Sequence, residues 1–354
     1  MTSKIRIAIL TSVILFIGFG EVAFAKGDTE KVLYDNSFEV NDNALLSVMH
    51  EMGNVTCKNW DRNEISVKIT ASVETSDLDK AAKAFERIQY NVVGNRNQVT
   101  AECKVKSKKN GSRDSNLQIE LEIFMPRTVR LDFQHKFGNA YIEEADGQSN
   151  VNSSYGSIQI KSLTHAESKF KLSYGEGNLG YFAGNSINIS YSSFTLGEAG
   201  NISLKTAYSE VEADEINVVS LKLEGGSFTL GKADILKGSS KFSSLSIERL
   251  NEVLEVETEY GSLEVDYVPA SFAEIVIDNS YGSTTITIDK SATYKLEATA
   301  THCEIDYPDD MADFSYREKT HFKTTLKGII GKGQDAQSRV TIKSSYGGTS
   351  LEAK

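Results

Sequence analysis

The segment SSYGSIQI at residues 153–160 recurs in closely similar form as TEYGSLEV at 258–265, NSYGSTTI at 279–286 and SSYGGTSL at 344–351. In each copy an alternating, strand-like stretch leads to an aromatic residue, a glycine follows, and a second alternating stretch begins. Looser variants fill the chain between these copies. The corner residues are Phe137, Tyr155, Tyr174, Tyr191, Tyr208, Phe242, Tyr260, Tyr281 and Tyr346, with Gly225 and His302 at two degenerate copies.

The corners recur at a nearly constant spacing. Successive corners are 17 to 21 residues apart as far as His302, and the last follows after 44. Such a period is typical of repeat proteins, in which each repeat packs on its neighbours. Two short strands, one bend and a return fit in each repeat, which predicts one coil of a β-solenoid. An antiparallel sandwich also has short alternating strands, but it gives no reason to keep one corner chemistry at this period.

The alternation changes phase at the corner, which predicts a bend. Before the corner, every second residue is apolar or small, as at Leu204 and Thr206, and after it the pattern restarts three positions on, at Val211. A glycine at the bend tolerates positive φ or a close backbone approach. We expect each aromatic ring to stack on the ring of the next coil. The inward phase includes His135 and His302, which predicts packing roles for both.

The chain ahead of the repeats has a different pattern. Strand-like segments occupy most of residues 28–125, with one helix among them. We expect residues 26–125 to form a β-rich cap over the open end of the solenoid, because an uncovered sheet edge invites pairing with other chains. Residues 126–354 then form the repeats, interrupted by a looped excursion at 308–339. Ser76 is the predicted helix N-cap, and Leu78, Ala81, Ala82, Phe85 and Ile88 share the predicted apolar face.

The N-terminus has the features of an export signal. Lys4 and Arg6 precede an apolar run at 7–19, and Ala23-Phe24-Ala25 matches a cleavage site. This pattern predicts a signal peptide at residues 1–25 and an exported protein, located in the periplasm, on the outer cell surface or outside the cell. The alternative, a single membrane anchor, needs about 20 apolar residues. We find no later segment apolar enough to span a membrane.

Composition narrows the choice of partners and cofactors. The formal net charge of −11 argues against nucleic acid, which requires a basic face. The three cysteines cannot all pair, and Cys57 and Cys103 either bridge or remain as buried thiols. The sequence contains no Cys-x-x-Cys and no clustered Cys and His, so we expect no cofactor and no metal.

Two segments carry a resemblance to a known family. They are GNVTCKNWDRNEISVKITA at 53–71 and IELEIFMPRTVRLDFQHKFGNAYIEEADGQSNVNSSYGSIQIKSL at 119–163. With the helix between them and the Tyr-Gly repeats after them, they resemble the putative-adhesin family of exported bacterial proteins, which is related to the GIN head domain of Bacteroidetes-type bacteria. The resemblance implies a right-handed β-helix-like solenoid and an adhesive role at the cell envelope. It supplies no catalytic or ligand-binding residues.

Enzymes built on parallel β-helices use clustered carboxylates, often with calcium. The outward positions beside the corners do not place acidic residues on several consecutive coils. The remaining acidic candidates are Glu257, Glu259, Glu264 and Asp278 near one corner, and Asp306, Asp309, Asp310 and Asp313 around Pro308.

The sequence therefore predicts a non-enzymatic protein of the cell envelope, an adhesin or surface-binding scaffold. The expected partner is a glycan or a cell-surface protein. A carbohydrate-active β-helix enzyme is the first alternative. An envelope-stress component with no external ligand is the second.

Overall fold

The computed structural model describes residues 28–106, 117–333 and 336–354, and the predicted signal peptide lies outside them. The predicted all-β class is confirmed, since strands dominate and the described residues form one α-helix and one short 3-10 helix. The N-terminal elements are β1 (Asp28–Glu39), β2 (Leu45–Met52), β3 (Asn54–Asn59), β4 (Glu64–Glu74), α1 (Leu78–Phe85), β5 (Ile88–Asn95), β6 (Gln98–Val105) and β7 (Leu117–Met125).

The repeats build two parallel ladders. We call the strands before each corner the leading ladder and those after it the trailing ladder. Both ladders run through the long strand β14, which stays extended while it bends at Tyr208, Gly225 and Phe242. The strands of this region are β8 (Arg130–Ala145), β9 (Ser149–Ser154), β10 (Gly156–Leu163), β11 (Lys169–Ser173), β12 (Glu176–Phe182), β13 (Ser186–Ser190), β14 (Ser193–Glu259), β15 (Ser262–Val268), β16 (Glu274–Ser280) and β17 (Ser283–Ile288).

Neighbouring repeats pair in register. In the leading ladder β9 pairs with β11 and β11 with β13, and in the trailing ladder β8 pairs with β10 and β10 with β12, always in parallel. Equivalent positions therefore lie directly above one another, so that Ile158 is opposite Ala140 on one side and Gly177 on the other. The residues between the two ladders are apolar and buried. Phe133, Phe170, Phe182, Phe194, Phe228 and Phe272 are the largest fully buried side chains.

The last repeat in the sequence is not the last in the stack. β22 lies between β16 and β18 in the leading ladder and is parallel to both, while β23 lies between β17 and β19 in the trailing ladder. The chain therefore skips one position, forms the outer repeat, and returns to fill the gap. The C-terminal elements are β18 (Tyr294–Thr301), β19 (Ile305–Asp306), a 3-10 helix (Asp309–Met311), β20 (Ala312–Lys319), β21 (Lys323–Ile330), β22 (Ser338–Ser345) and β23 (Thr349–Ala353).

The N-terminal end repeats this arrangement. β2 lies between β6 and β8 in the leading ladder, and β3 lies between β7 and β8 in the trailing ladder, all in parallel. The repeat that comes first in the sequence is thus covered by a second one formed from β6 and β7. Strands β2, β3, β6 and β7 thus continue the same two ladders as the Tyr-Gly repeats.

Antiparallel strands finish both ends of the stack. At the N-terminal end β4 pairs with β7, β1 with β4 and β5 with β6. The outer strands β1 and β5 approach each other, where the Tyr90 hydroxyl donates to the Leu33 carbonyl at 2.8 Å. At the other end the hairpin of β20 and β21 pairs with β18. The segment 308–339, expected to be an irregular excursion, contains this hairpin.

The helix differs from its prediction in cap and face. Asp77 caps it, not Ser76, because the Asp77 carboxylate accepts from the backbone N–H groups of Asp79 and Lys80. Ala81, Ala84 and Phe85 are buried, whereas Leu78 is exposed and Ala82 lies on the outer face. The expected helical position Ile88 belongs to strand β5, which the sequence pattern did not reveal.

Cysteine cross-linking tests the inserted C-terminal repeat. Thr341 lies opposite Val276 on one side and opposite Glu297 on the other. In a Cys303→Ser background we expect T341C to form a disulfide with V276C and, in a separate variant, with E297C, whereas V276C and E297C together form none. Two strand spacings amount to about 10 Å, beyond the Cα separation of about 7 Å that a disulfide tolerates. Non-reducing electrophoresis with mass spectrometry gives the result. A bridge between positions 276 and 297 would mean that the repeats stack in sequence order.

Candidate functional site

The corner side chains form a surface column of stacked rings. We call it the ring column, and it consists of the nine predicted aromatic corners together with His302. Within each of its two stretches, ring centroids of successive members lie 4.8–5.2 Å apart, and most ring planes are nearly parallel. One stretch of the column runs Phe137, Tyr155, Tyr174, Tyr191, Tyr208, and the other runs Phe242, Tyr260, Tyr281, Tyr346, His302.

The aromatic residue itself carries the unusual backbone conformation. From Tyr155 to Tyr346, every non-glycine corner has φ between +50° and +56°. This left-handed conformation costs an ordinary residue about 1–2 kcal/mol, and it turns the side chain out of the alternation. The ring therefore lies on the surface although its position has the inward phase. His302 was predicted to pack inside and is instead exposed on Tyr346, with centroids 4.9 Å apart.

The glycine after the corner is needed for close approach. A Cβ on Gly156 would overlap the carbonyl oxygen of Gly138 in the preceding repeat. Some corners have serine at this place, and its hydroxyl then bonds back to the chain. The Ser192 Oγ donates to the Ser190 carbonyl at 2.7 Å, and the Ser209 Oγ donates to the Ala207 carbonyl at 2.8 Å.

From Tyr155 to Tyr346 the aromatic corners of the ring column are about half exposed or more. Tyr155, Tyr174 and Tyr191 are each 50% exposed. Because each ring covers the faces of its neighbours, the column presents ring edges and tyrosine hydroxyls to solvent. The result is an amphipathic strip in two stretches, and tyrosine is a residue enriched in binding interfaces.

Ion pairs between neighbouring repeats balance the charges on the flanking surfaces. Lys161 bonds Glu143 at 2.9 Å, Lys232 bonds Glu215 at 2.7 Å and Lys241 bonds Glu259 at 2.8 Å. The Asn59 backbone N–H and the Lys161 ammonium together hold the pKa of Glu143 below its ordinary value. Alternating signs suit an in-register stack, since like charges directly opposite repel.

The acidic candidates are spread over several surfaces. Glu257 lies opposite Asp278 in the leading ladder, whereas Glu264 lies in the trailing ladder opposite Thr285. Glu259 is paired with Lys241. Within residues 28–106, 117–333 and 336–354, no three His, Cys, Asp or Glu side chains are placed to hold a metal ion. Of the second group, Asp306 lies in β19, Asp309 and Asp310 in the 3-10 helix and Asp313 in β20.

A buried histidine pair lies inside the N-terminal end. His50 and His135 are opposite each other in register, and their rings stack with centroids 5.9 Å apart. The His135 Nε2–H donates to the Gly53 carbonyl at 2.9 Å, while the described residues provide no hydrogen-bond partner for either nitrogen of His50. Burial, followed by the charge of His135, lowers the pKa of His50 to about 3. A cavity of about 310 Å³ borders the pair. The signal that could have found His50 is its in-register position opposite His135.

The two N-terminal cysteines are separate buried thiols. Cys57 is in β3 of the trailing ladder and Cys103 is in β6 of the leading ladder, and both are free. Burial raises the pKa of each thiol to about 12, so neither is reactive at neutral pH. Of the two alternatives left open by the sequence, the structure has the unbridged one.

No helix among the described residues is long and apolar enough to cross a bilayer.

Comparisons with known proteins give structural neighbours only. No family model matches the chain, and no curated protein matches it. Among solved structures, it is similar to a putative adhesin from Parabacteroides merdae (11% identity, 73% of this chain and 95% of that one, TM-score 0.35). It is also similar to a putative cell adhesion protein from Clostridium sporogenes (12% identity, 92% of this chain and 99% of that one, TM-score 0.18). A third similar structure is a putative adhesin from Bacteroides fragilis (8% identity, 93% of this chain and 98% of that one, TM-score 0.26).

These neighbours carry the family description that the sequence resemblance suggested. At identities of 8 to 12% and TM-scores no higher than 0.35, they add no weight to an argument about mechanism.

The histidine pair makes stability fall in acid. Because the folded-state pKa of His50 is about 3 and the unfolded value is near 6.5, its contribution is complete above pH 6.5 and is lost as the pH falls toward 3. Between pH 7.5 and 4.5 we expect His50 to account for about 3 kcal/mol of lost unfolding free energy. Urea unfolding at both pH values measures the loss. It should shrink in His50→Leu and persist in His321→Leu, a surface control; an unchanged loss in His50→Leu would contradict the assignment.

Ring stacking and backbone strain can be separated at Tyr174. Y174A removes the stacking contacts with two neighbouring rings and keeps the left-handed backbone, so we expect it to lower the unfolding free energy by about 1–3 kcal/mol. Y174G also removes the ring but relieves the backbone strain, so we expect its free energy of unfolding to be about 1 kcal/mol higher than that of Y174A. The exposed neighbour Asn178 is the control, and N178A should lie within about 0.5 kcal/mol of wild type. Equal stability of Y174A and wild type would show that the ring column adds nothing to the fold.

Proposed function

We propose that this protein is an exported, non-enzymatic binding protein of the cell envelope, an adhesin-like scaffold whose ring column contacts a surface ligand. The single observation that carries the proposal is the column itself, a line of rings that, from Tyr155 onward, are exposed and held out at a positive φ. A fold that needed these rings only for packing would bury them. Exposed aromatic surface of this extent is a common mark of an interaction site.

We propose further that the two ladders wind as a right-handed β-helix-like solenoid. Support comes from the parallel in-register pairing of strands one repeat apart in both ladders. Parallel crossover connections are right-handed in nearly all known proteins. In this arrangement residues 26–125 act as a cap, residues 126–354 form the repeats with the 308–339 segment at the far end, and residues 1–25 are a leader removed on export.

The proposed partner is a glycan or a cell-surface protein. Tyrosine edges and hydroxyls offer both apolar contact and hydrogen bonds, which suits either partner. The net charge of −11 argues against nucleic acid as the partner, because binding phosphates requires a basic face. The enzyme alternative draws its support from the Glu257 and Asp278 pair in the leading ladder. Their sequence neighbours Val256 and Ile277 are core residues. Lys343 lies opposite Asp278 on the other side, so this in-register row holds two carboxylates and one ammonium group.

A ring-column variant tests the binding role. In a chain that begins at residue 26, we replace Tyr155, Tyr174 and Tyr191 by asparagine, which tolerates the left-handed conformation. We expect binding to a glycan array or to isolated surface proteins to weaken at least tenfold. The matched control replaces Gln159, Asn178 and Thr195, outward residues of the same repeats, by alanine and should bind as wild type.

Circular dichroism establishes that both variants are folded. Full binding by the tyrosine variant would contradict the proposed role of the column. Turnover of an acidic polysaccharide that is lost in Asp278→Asn or Asp309→Asn would replace the proposal with the enzyme alternative. Cell fractionation checks export, and retention of the chain in the cytosol would contradict that part.

A further inference from the structure

The ring column is interrupted at one level, where the corner residue is Gly225. Cross-repeat contacts in this region join residues 17 apart, as in Lys232 to Glu215 and Asn251 to Asp234, both at 2.7 Å. Tyr208, Gly225 and Phe242 therefore occupy three successive levels of the stack. The described residues place no ring between Tyr208 and Phe242. We call this gap, bounded by Tyr208, Gly225 and Phe242, the ring slot.

The two rings that border the slot are the most exposed in the column. Tyr208 is 65% and Phe242 66% exposed, whereas the tyrosines inside the two stretches are 46–54% exposed. Tyr208 also leans toward the gap, since its ring is tilted 14° from that of Tyr191 and a Cβ on Gly225 would lie 2.9 Å from its Cδ1. Each bordering ring thus has one face without a stacking partner among the described residues.

A shallow surface depression adjoins the slot on the side of Tyr208 and Gly226. This depression has a volume of about 580 Å³, and its lining includes Tyr208, Ser209, Gly226 and Ser227. The depression can accommodate the rest of a bound molecule that inserts one group between the two rings. The serine hydroxyls and backbone beside it supply polar contacts for a peptide chain.

The charges and the base of the slot select a neutral, apolar-edged occupant. Glu224 is paired with Lys222 and Lys241 with Glu259, each at 2.8 Å, so the charged residues that precede Gly225 and Phe242 already have partners. The acidic Glu210 lines the adjoining depression and disfavours an anionic occupant. The base of the slot is the Gly225 backbone, which has no polar side chain to bond an inserted group. A sugar ring carries hydroxyls around its edge that would lose their hydrogen bonds at this base. An aromatic ring has an apolar edge and two faces that stack.

We infer that the ring slot binds one uncharged aromatic side chain, Trp, Tyr or Phe, presented by a partner polypeptide. The inserted ring completes the column at the level where this chain supplies none. The inference rests on the proposed binding role of the column and deepens it by naming the group that is recognised. On insertion Tyr208 moves upright, into the stacking geometry that the other tyrosines have.

A peptide titration tests the slot. The probe is a short Gly-Ser peptide with one central 5-fluorotryptophan, followed by fluorine NMR, with leucine at the same place in the control peptide. We expect saturable binding of one peptide per chain, with the leucine peptide at least tenfold weaker, because each aromatic pair adds a factor of about 2 to 12 and the inserted ring stacks on two faces. Equal binding of the two peptides, or displacement of the tryptophan peptide by methyl glucoside, would overturn the inference.

Two variants locate the binding. G225Y fills the slot with the chain's own ring, which the backbone accepts because φ is already +69°, and it should weaken binding at least tenfold. G200Y adds a tyrosine at an open position and should leave binding unchanged. Unweakened binding in G225Y would overturn the inference.

A third variant creates a slot. Y174G removes a ring between Tyr155 and Tyr191 and should raise the stoichiometry to two peptides per chain, whereas a stoichiometry of one would count against the slot geometry. Circular dichroism confirms folding of each variant, and unfolding of G225Y leaves the stoichiometry of Y174G as the deciding result. The titration requires neither export nor a cell surface. Peptide binding without binding to glycans or surface proteins would contradict the adhesin role alone. Binding to glycans or surface proteins without peptide binding would contradict the slot alone.

Discussion

Parallel backbone hydrogen bonding between equivalent strands is the constraint on which the rest of this structure depends. It places every residue directly above its counterpart, at a strand spacing of about 4.8 Å. A residue type that recurs at the same place in each repeat must therefore pack well against itself. Aromatic rings do so at this distance, and the observed centroid separations of 4.8–5.2 Å follow the strand spacing. Charges do not, which accounts for lysine facing glutamate between repeats at Lys161–Glu143 and Lys241–Glu259.

The first and the last repeat in the sequence are both enclosed within the stack. The sequence-terminal repeats, β2 with β3 and β22 with β23, are each enclosed between two other repeats. A terminal strand pairs on one side only and frays, whereas an enclosed strand has hydrogen bonds on both sides. Antiparallel strands then form the outer edges. Most side chains of β20 and β5 are exposed, as expected of strands at the limits of a sheet.

Much of this architecture could be predicted from the sequence because repetition makes local patterns visible. The alternating strands, the corner positions and the ring stacking all follow from the 17-residue period. The inserted repeats could not be predicted, because β22 pairs with β16 and β18 through contacts 44 or more residues apart, for which the pattern contains no signal. The exposure of His302 was missed because alternation assumes ordinary strand dihedrals, and a positive φ at the corner breaks that assumption.

The candidate site was only partly readable. The aromatic corners were identified as residues, and their role as an outward-facing strip emerged from the backbone conformation. The gap at Gly225 could not be predicted, since in the sequence this residue only marks a repeat without an aromatic corner. The buried pair of His50 and His135 was missed because His50 lies outside the Tyr-Gly repeats, and only the register of β2 on β8 places the two rings together. The proposed function thus depends on how in-register stacking arranges the side chains, more than on any motif.

Amide hydrogen exchange tests the enclosed stacking most directly. If parallel pairing on both sides determines local stability, the amides of β22 should exchange as slowly as those of β11 and β13 in the middle of the stack. Those of β20, although farther from the C-terminus, should exchange much faster. Exchange in β22 as fast as in β20 would contradict the account, because it would mean that the last repeat of the chain is a frayed end.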